Sequence, residues 1–347
     1  MKKLLLATTA VALSAGVAAA DVGLSGDARM GIKFDDSVEN KFAFDSRMRA
    51  RISFSGETDT GLAFGGNFRI DAAGNAASGN MGNAASLVFI SGEFGRLAMG
   101  DTAGAVQGAV GDLHGVGLTG LGFKNENAFL RRDFGGSEVG GQNGVTNALY
   151  TYSIDGFTLH ASIGQLNATD GIAGAAEFLE LIGLLDDALA FDPDDLEALE
   201  EAFEGVAGDR IEMAGIGARY EFDGFAIGAG YERAKAGGFT AGHAALGVEG
   251  SFEMITVRAT YGRAMNDLKD VFASNNQYGI SASASFDEIT VSAFGRRDFA
   301  KDTHIGLGGA YDLGGGARLV GGVRSTDFND SDTKSQTVAD FGMAFSF

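Results

Sequence analysis

The chain has 347 residues, with 26 basic and 46 acidic side chains, a formal net charge of −20, 55 glycines, one proline and no cysteine or tryptophan. Without cysteine there is no disulfide framework and no thiol chemistry, and the acidic balance argues against nucleic acid as a partner. No apolar run reaches the ~20 residues that a membrane helix needs, and so much glycine is unusual for a soluble domain of this size.

Lys2 and Lys3 precede an apolar run from Leu4 to Val17, and Ala18, Ala19 and Ala20 supply a small-residue cleavage site before Asp21. Residues 1–20 therefore read as a secretory signal peptide, leaving 21–347 as the mature chain. Loss of Lys2 and Lys3 leaves 24 bases against 46 acids, a formal charge of −22.

From Val22 onward the pattern has period two, the mark of strands whose faces meet different surroundings. Stretch 22–34 sets Asp27, Arg29 and Lys33 on one face. Stretch 43–56 contains SRMRARISFSG, with Asp45, Arg47, Arg49 and Arg51 on one face and Met48, Ala50, Ile52 and Phe54 on the other. Like charges in such a row repel one another unless carboxylates lie opposite. Stretch 62–71 adds Arg69 and Asp71, and 95–100 adds Arg96.

Segment 101–146 is too long for a simple connection. Its part GDTAGAVQGAVGDLHGVGLTG is rich in Gly, Ala and Val, which suits a loop packed inside a lumen; a solvated external loop is the alternative. FTLHASI (157–163) returns to alternation. Loop 166–209 places Phe178, Leu181, Ile182, Leu185 and Leu189 at helical spacing, and Asp192 with Pro193 reads as the start of a second helix. A helical hairpin with thirteen acids and no bases is expected there. It is either a solvated acidic face or an external cap that concentrates cations or holds divalent ions beside lipopolysaccharide phosphates. FAIGAGY (225–231), ITVRATYG (255–262), NNQYGISASASF (275–286) and ITVSAFG (289–295) alternate again, and FGMAFSF ends the chain on Phe347.

The punctuation falls into two sets. Short, mostly acidic turns lie at 57–61, 92–95, 154–157, 222–225, 252–255, 286–289 and 312–316; Asp-Gly pairs suit tight hairpins. Longer polar loops lie at 35–42, 72–83, 101–146, 166–209, 234–241, 265–274, 298–302 and 327–335. Strict alternation of seven turns with eight loops predicts sixteen antiparallel strands. An even strand number with unequal ends is the pattern of an outer-membrane β-barrel, in which no backbone edge is left unpaired in lipid. A soluble β-sandwich would also alternate, but the polar parity here (Gly, Ser, Thr, Ala and charge) would make a poor core. Tyr150, Tyr152, Tyr220, Tyr231, Tyr261, Tyr278 and Tyr311 all fall on the apolar parity, as an interfacial aromatic girdle requires.

If that parity faces lipid, the charges face water. Arg29, Lys33, Arg47, Arg49, Arg51 and Arg69 then form a basic patch on the inner wall, because each would cost ~2–4 kcal/mol if turned to mid-membrane lipid. The terminal Phe347 also fits the assembly signal of outer-membrane barrels.

GLSGDARMGI (23–32), the arginine-rich second strand, SGEFGRLAMGD (91–101), GDLHGVG (111–117), LYTYS (149–153) and YDLGGGARLVGG (311–322) resemble the general diffusion porins of purple-bacterial (alphaproteobacterial) type. The likeness runs along most of the mature chain, loop 166–209 excepted. It implies a sixteen-stranded homotrimeric barrel whose third loop folds inward, its acids facing a basic wall across an eyelet. The matching positions are Asp112, Glu126, Asp133 and Glu138 against the arginines named above. Here the loop has fewer acids and adds Arg131 and Arg132, so the bound calcium that the resemblance implies lacks specific ligands. The expected function is passive diffusion of small hydrophilic solutes and ions through the outer membrane. A substrate-selective channel is the nearest rival. A lipid hydrolase is disfavoured, because His114, His160, His243 and His304 form no nucleophile–base set with a serine.

Overall fold

The computed structural model describes residues 21–73, 82–131, 146–167, 210–236, 238–329 and 334–347. The expected signal peptide, the helical hairpin of 168–209, and Arg132, Asp133 and Glu138 lie outside the described residues. The strands are β1 (Asp21–Asp35), β2 (Phe42–Glu57), β3 (Ala63–Ala73), β4 (Gly82–Gly92), β5 (Gly95–Gly100), β6 (Thr146–Ile154), β7 (Phe157–Asn167), β8 (Arg210–Phe222), β9 (Phe225–Ala236), β10 (Phe239–Phe252), β11 (Ile255–Asn266), β12 (Asn276–Phe286), β13 (Ile289–Arg297), β14 (Thr303–Gly314), β15 (Ala317–Asp327) and β16 (Gln336–Ser346). Each pairs antiparallel with its neighbours, and β1 pairs with β16 to close a sixteen-stranded barrel. The main-chain N–H of Phe347 donates to Gly26 at 3.0 Å across that seam.

The turns behave as their sequences require. Asp155-Gly156 and Asp223-Gly224 hold positive φ at both residues, the geometry that matches strand twist in a two-residue hairpin. One expected loop is not a loop. β9 continues to Ala236 and β10 begins at Phe239, so 234–241 is a tight hairpin and not a long polar excursion. Its charges conceal continued alternation, since Ala234 is buried between exposed Arg233 and Lys235, in register with the buried Ala241.

The tyrosines divide between two ends. Tyr150, Tyr152, Tyr220 and Tyr311 lie near the short turns, where Tyr220, Phe222, Phe225 and Phe252 follow one another in ring contact. Tyr231, Tyr261 and Tyr278 lie toward the long loops, the last two directly opposite in register. Tyr278 and Phe286, on one strand, are eight residues apart, roughly 27 Å along it. Tilted by ~40°, that run matches the apolar band of a barrel in lipid.

Glycine has a specific place. Segment 101–131 enters the lumen and carries a short helix, α1 (Ala105–Val110). Its buried face lies on inward glycines of β8, β9 and β10. A Cβ on Gly217 or Gly228 would collide with the carbonyl oxygens of Ala105 and Ala109, and one on Gly247 would come within 2.7 Å of that of Val110. Farther round, Gly279 admits Leu113, and Gly308 and Gly322 admit Val116 and Gly117. The wall is shaved along the track the loop follows.

Candidate functional site

The loop is anchored at successive points round the barrel. Asn147 on β6 donates to the carbonyl of Ala103 at 3.1 Å, and Ser162 on β7 accepts the N–H of Ala105 at 2.9 Å. At the far tip, Asp340 on β16 accepts the N–H groups of Leu118 (2.9 Å) and Thr119 (2.6 Å) and the Thr119 hydroxyl (2.7 Å). The returning limb lies above the outgoing one: Asn125 donates to the Leu113 carbonyl at 2.8 Å and Asn127 to that of Gly111 at 3.0 Å. It is clamped to the wall by two buried groups. Glu232 accepts the N–H of Leu130 at 2.8 Å and holds His243 Nδ1 at 2.8 Å, while Gln277 bonds both the N–H and the C=O of Ala128.

Among the described residues these contacts cover the inner face from β6 to β16 and reach β1 where Leu118 meets Gly31. Among the described residues the loop leaves open the wall of β1 to β5, which carries the basic residues singled out in the sequence. They form a lattice with carboxylates. Arg29 grips Asp45 with two nitrogens, at 2.7 and 3.2 Å. Arg47 reaches Asp27 at 3.1 Å, Arg49 reaches Asp71 at 3.1 Å, and Arg69 takes the same Asp71 at 2.7 and 3.0 Å. Paired forks of this kind are the strong form of ion pair. Arg51 is exposed and stands in register with Arg69 and Ser25. Lys33, half-buried, stands opposite Asp340. At mid-wall these six cations face Asp27, Asp45 and Asp71, an excess of positive charge; Asp21, Asp35 and Glu57 lie on the same parity at the strand ends.

The loop acids are placed differently from one another. Asp112 accepts the N–H of Asn127 at 2.7 Å, and its main-chain carbonyl accepts from Arg258 on β11, away from the arginine wall. Arg258 also pairs with Glu249, which lies 3.4 Å from Arg219. Glu126 is half-buried on the returning limb. Alternation alone could not reveal the anchors Asp340, Glu232 and Gln277, although a single acid on the lumen parity of the last strand was the available signal for the first. Phe89 was also missed; it turns inward on β4 and supports the Arg96 guanidinium at 3.8 Å from its ring centre.

Among the described residues no group of three or more His, Asp or Glu side chains could hold a metal ion.

Comparison with known proteins gives concordant results. Residues 7–331 match the family described as Gram-negative porin. The porin of Rhodobacter capsulatus is 33% identical over 358 aligned positions, covering 94% of this chain and all of that protein. A porin structure refined at 1.8 Å superimposes with a TM-score of 0.67 at 27% identity, again over 94% of this chain and 100% of the other. An engineered variant of the Rh. blastica porin has the same fold, with a TM-score of 0.65, 21% identity and coverage of 94% and 100%.

Proposed function

Since the chain belongs to the Gram-negative porin family, we propose that its selectivity is set in the gap between the inward loop and the β1–β5 wall. The protein is an outer-membrane channel for passive diffusion of small hydrophilic solutes and ions, and not an enzyme. The observation that carries the proposal is the division of the lumen: the loop lines β6 to β16, and the middle of the remaining wall carries six cations with three carboxylates among them. A solute crossing this gap meets alternating charge on one side and a polar loop edge on the other. Such a surface replaces part of the hydration of a polar solute and offers nothing to an apolar one. Glu126, with Asp133 and Glu138, supplies the opposing negative charge, and the acidic segment 166–209 biases the mouth toward cations. Single-channel conductance and reversal potential in a salt gradient test this. A modest cation preference supports it, and strong anion selectivity overturns it. Liposome swelling that falls smoothly with solute size supports a general channel; a sharp preference for one solute replaces it with a substrate-selective one.

The working unit is a homotrimer joined through β1, β2 and β16. Their outward faces are apolar and highly exposed, with Phe44 at 86%, Leu24 at 75% and Phe42 at 71%. Conductance arriving in three steps per insertion is the expected result, and single steps overturn it.

A further inference from the structure

Two sets of inward apolar wall residues lie under the loop. Phe294 and Val338 are buried in one cluster with Leu113, and Ala245 in another with Val106. A third set, on β4 to β6, belongs to neither. Val88 and Ile90 are exposed on the outer face of β4, which leaves Leu87 and Phe89 on its inner parity. Register continues the patch: Phe89 stands opposite Ala98 on β5, and Ala98 opposite Leu149 on β6. Leu87, Phe89 and Leu149 are half-buried and Ala98 is buried. These side chains face water and not lipid, so the membrane gives no reason for them.

A cation lies on this patch. Arg96, two residues before Ala98, sets its guanidinium 3.8 Å from the centre of the Phe89 ring. The ring itself lies across Gly65 on β3, where an added Cβ would come within 2.9 Å of the ring edge. Arg96 is exposed, and among the described residues no carboxylate pairs with it. The inward acid in its row, Glu57, is three strands away, roughly 14 Å. Thr151 stands opposite Arg96 and adds a hydroxyl, 3.4 Å from His160.

We propose that Arg96, Phe89, Leu87 and Leu149 form a lumenal binding subsite for small aryl carboxylates. Chemistry is the first argument. The Arg96 guanidinium donates in the plane of its fork, which matches the two oxygens of a carboxylate. Beside it the apolar side chains take the flat body of the solute out of water. An inorganic anion gains only the first contact, and a neutral apolar solute only the second. Preorganisation is the next argument: stacking on Phe89 already holds the long Arg96 side chain, so binding has less freedom to remove. Position is the third. Ala98 lies two residues before Gly100, where the chain leaves β5 for the inward loop. Gly65, opposite Phe89, lies four residues from Arg69, roughly 14 Å along β3. A solute that clears the gap beside the arginine wall therefore meets the subsite next. The inference rests on the porin reading, which makes this wall a solute path.

The test measures 4-fluorobenzoate binding to the full-length protein in lipid nanodiscs by fluorine NMR, with empty nanodiscs as the blank. Benzoate should displace the probe about tenfold more effectively than acetate or benzyl alcohol, each of which keeps one half of the recognition. Arg96→Gln should weaken binding about tenfold through loss of the charge-assisted contact. Arg96→Lys and Phe89→Leu should each weaken it about threefold, because charge and apolar surface remain while the stack is lost. In single channels benzoate should reduce the ion current saturably, and the Arg96→Gln channel should need about tenfold more of it. Acetate or benzyl alcohol displacing the probe as well as benzoate overturns the proposal, as does unchanged binding in Arg96→Gln. If Phe89→Leu fails to assemble, Leu149→Ser should weaken binding about threefold by removing apolar contact, and no change there also overturns it. A protein that binds the probe and conducts nothing refutes the porin reading, whereas a conducting channel that binds no probe refutes the subsite alone.

Discussion

Arg51 and Arg69 stand directly opposite one another on β2 and β3, both facing the lumen. Asp71 neutralises Arg69 through two hydrogen bonds, whereas no carboxylate among the described residues pairs with Arg51. Arg51 is therefore the wall cation whose charge is most available to a passing ion. Arg51→Gln should leave assembly intact and shift the permeability ratio toward cations by about twofold, the effect of one unit charge several ångströms from the ion path in water. Neutralising Arg47, Arg49 and Arg51 together should enlarge that shift. An unchanged reversal potential would place these residues off the ion path.

Asp71 is the natural counter-test. It serves both Arg49 and Arg69, so Asp71→Asn removes a carboxylate from two guanidinium groups at once. The reversal potential should move toward anions, opposite to the Arg51 variant. Because a half-buried ion pair is broken, the barrel should also unfold at lower denaturant concentration.

The glycine track predicts a steric effect. A Cβ at Gly228 runs into the carbonyl oxygen of Ala109, on the backbone of α1. Gly228→Val should push α1 off the wall and into the water column, lowering single-channel conductance and costing about 1–3 kcal/mol by overpacking. Gly309, whose nearest added contact is at 3.5 Å, should accept alanine without a change in conductance.

Asp340→Ala removes the acceptor of three hydrogen bonds from Leu118 and Thr119. Amide exchange at 118 and 119 should speed up by the equivalent of about 2–4 kcal/mol, while exchange at α1, anchored separately on β7, should stay slow. Uniform loosening of the whole loop would mean that the anchors act as one unit.

Acid should loosen one rim loop. Burial pushes the Asp298 carboxyl up, but its hydrogen bond to His304 and the nearby Arg296 charge outweigh that and hold it below the ordinary carboxylate value. Its stabilising contribution is therefore complete above pH ~4 and is lost as pH falls through the lowered value. Asp302, raised chiefly by burial, has the opposite sign and gains as it protonates. Exchange of the Asp302 amide, which donates to Asp298, should accelerate only on the acid side of pH ~4, and His304→Gln should move that onset to higher pH.

The barrel was legible because each strand separates two solvents. Strict parity in SRMRARISFSG fixes which side chains meet water, and acidic Gly turns fix where strands end. Alternation failed at YERAKAGGFT, where charge suggested a loop: beyond the apolar band a strand no longer needs an apolar outer face. It could describe the inward loop only in outline, since anchors such as Gln277 and Asp340 are defined by where a distant segment lands. The wall arginines were legible as a patch but not as a lattice, because pairing with Asp27, Asp45 and Asp71 depends on strand register.

The off-centre loop also divides a mechanical task. From β6 to β16 the sheet is doubled by a second layer seated on smooth glycine, and its stiffness comes from thickness. From β1 to β5 the described residues form a single layer, and Arg29–Asp45, Arg47–Asp27 and Arg49–Asp71 act as ties across β1, β2 and β3. In the proposed channel the thin side is the one beside the water column, so the charges that a solute would meet there would also be the fasteners that keep the aperture from changing shape.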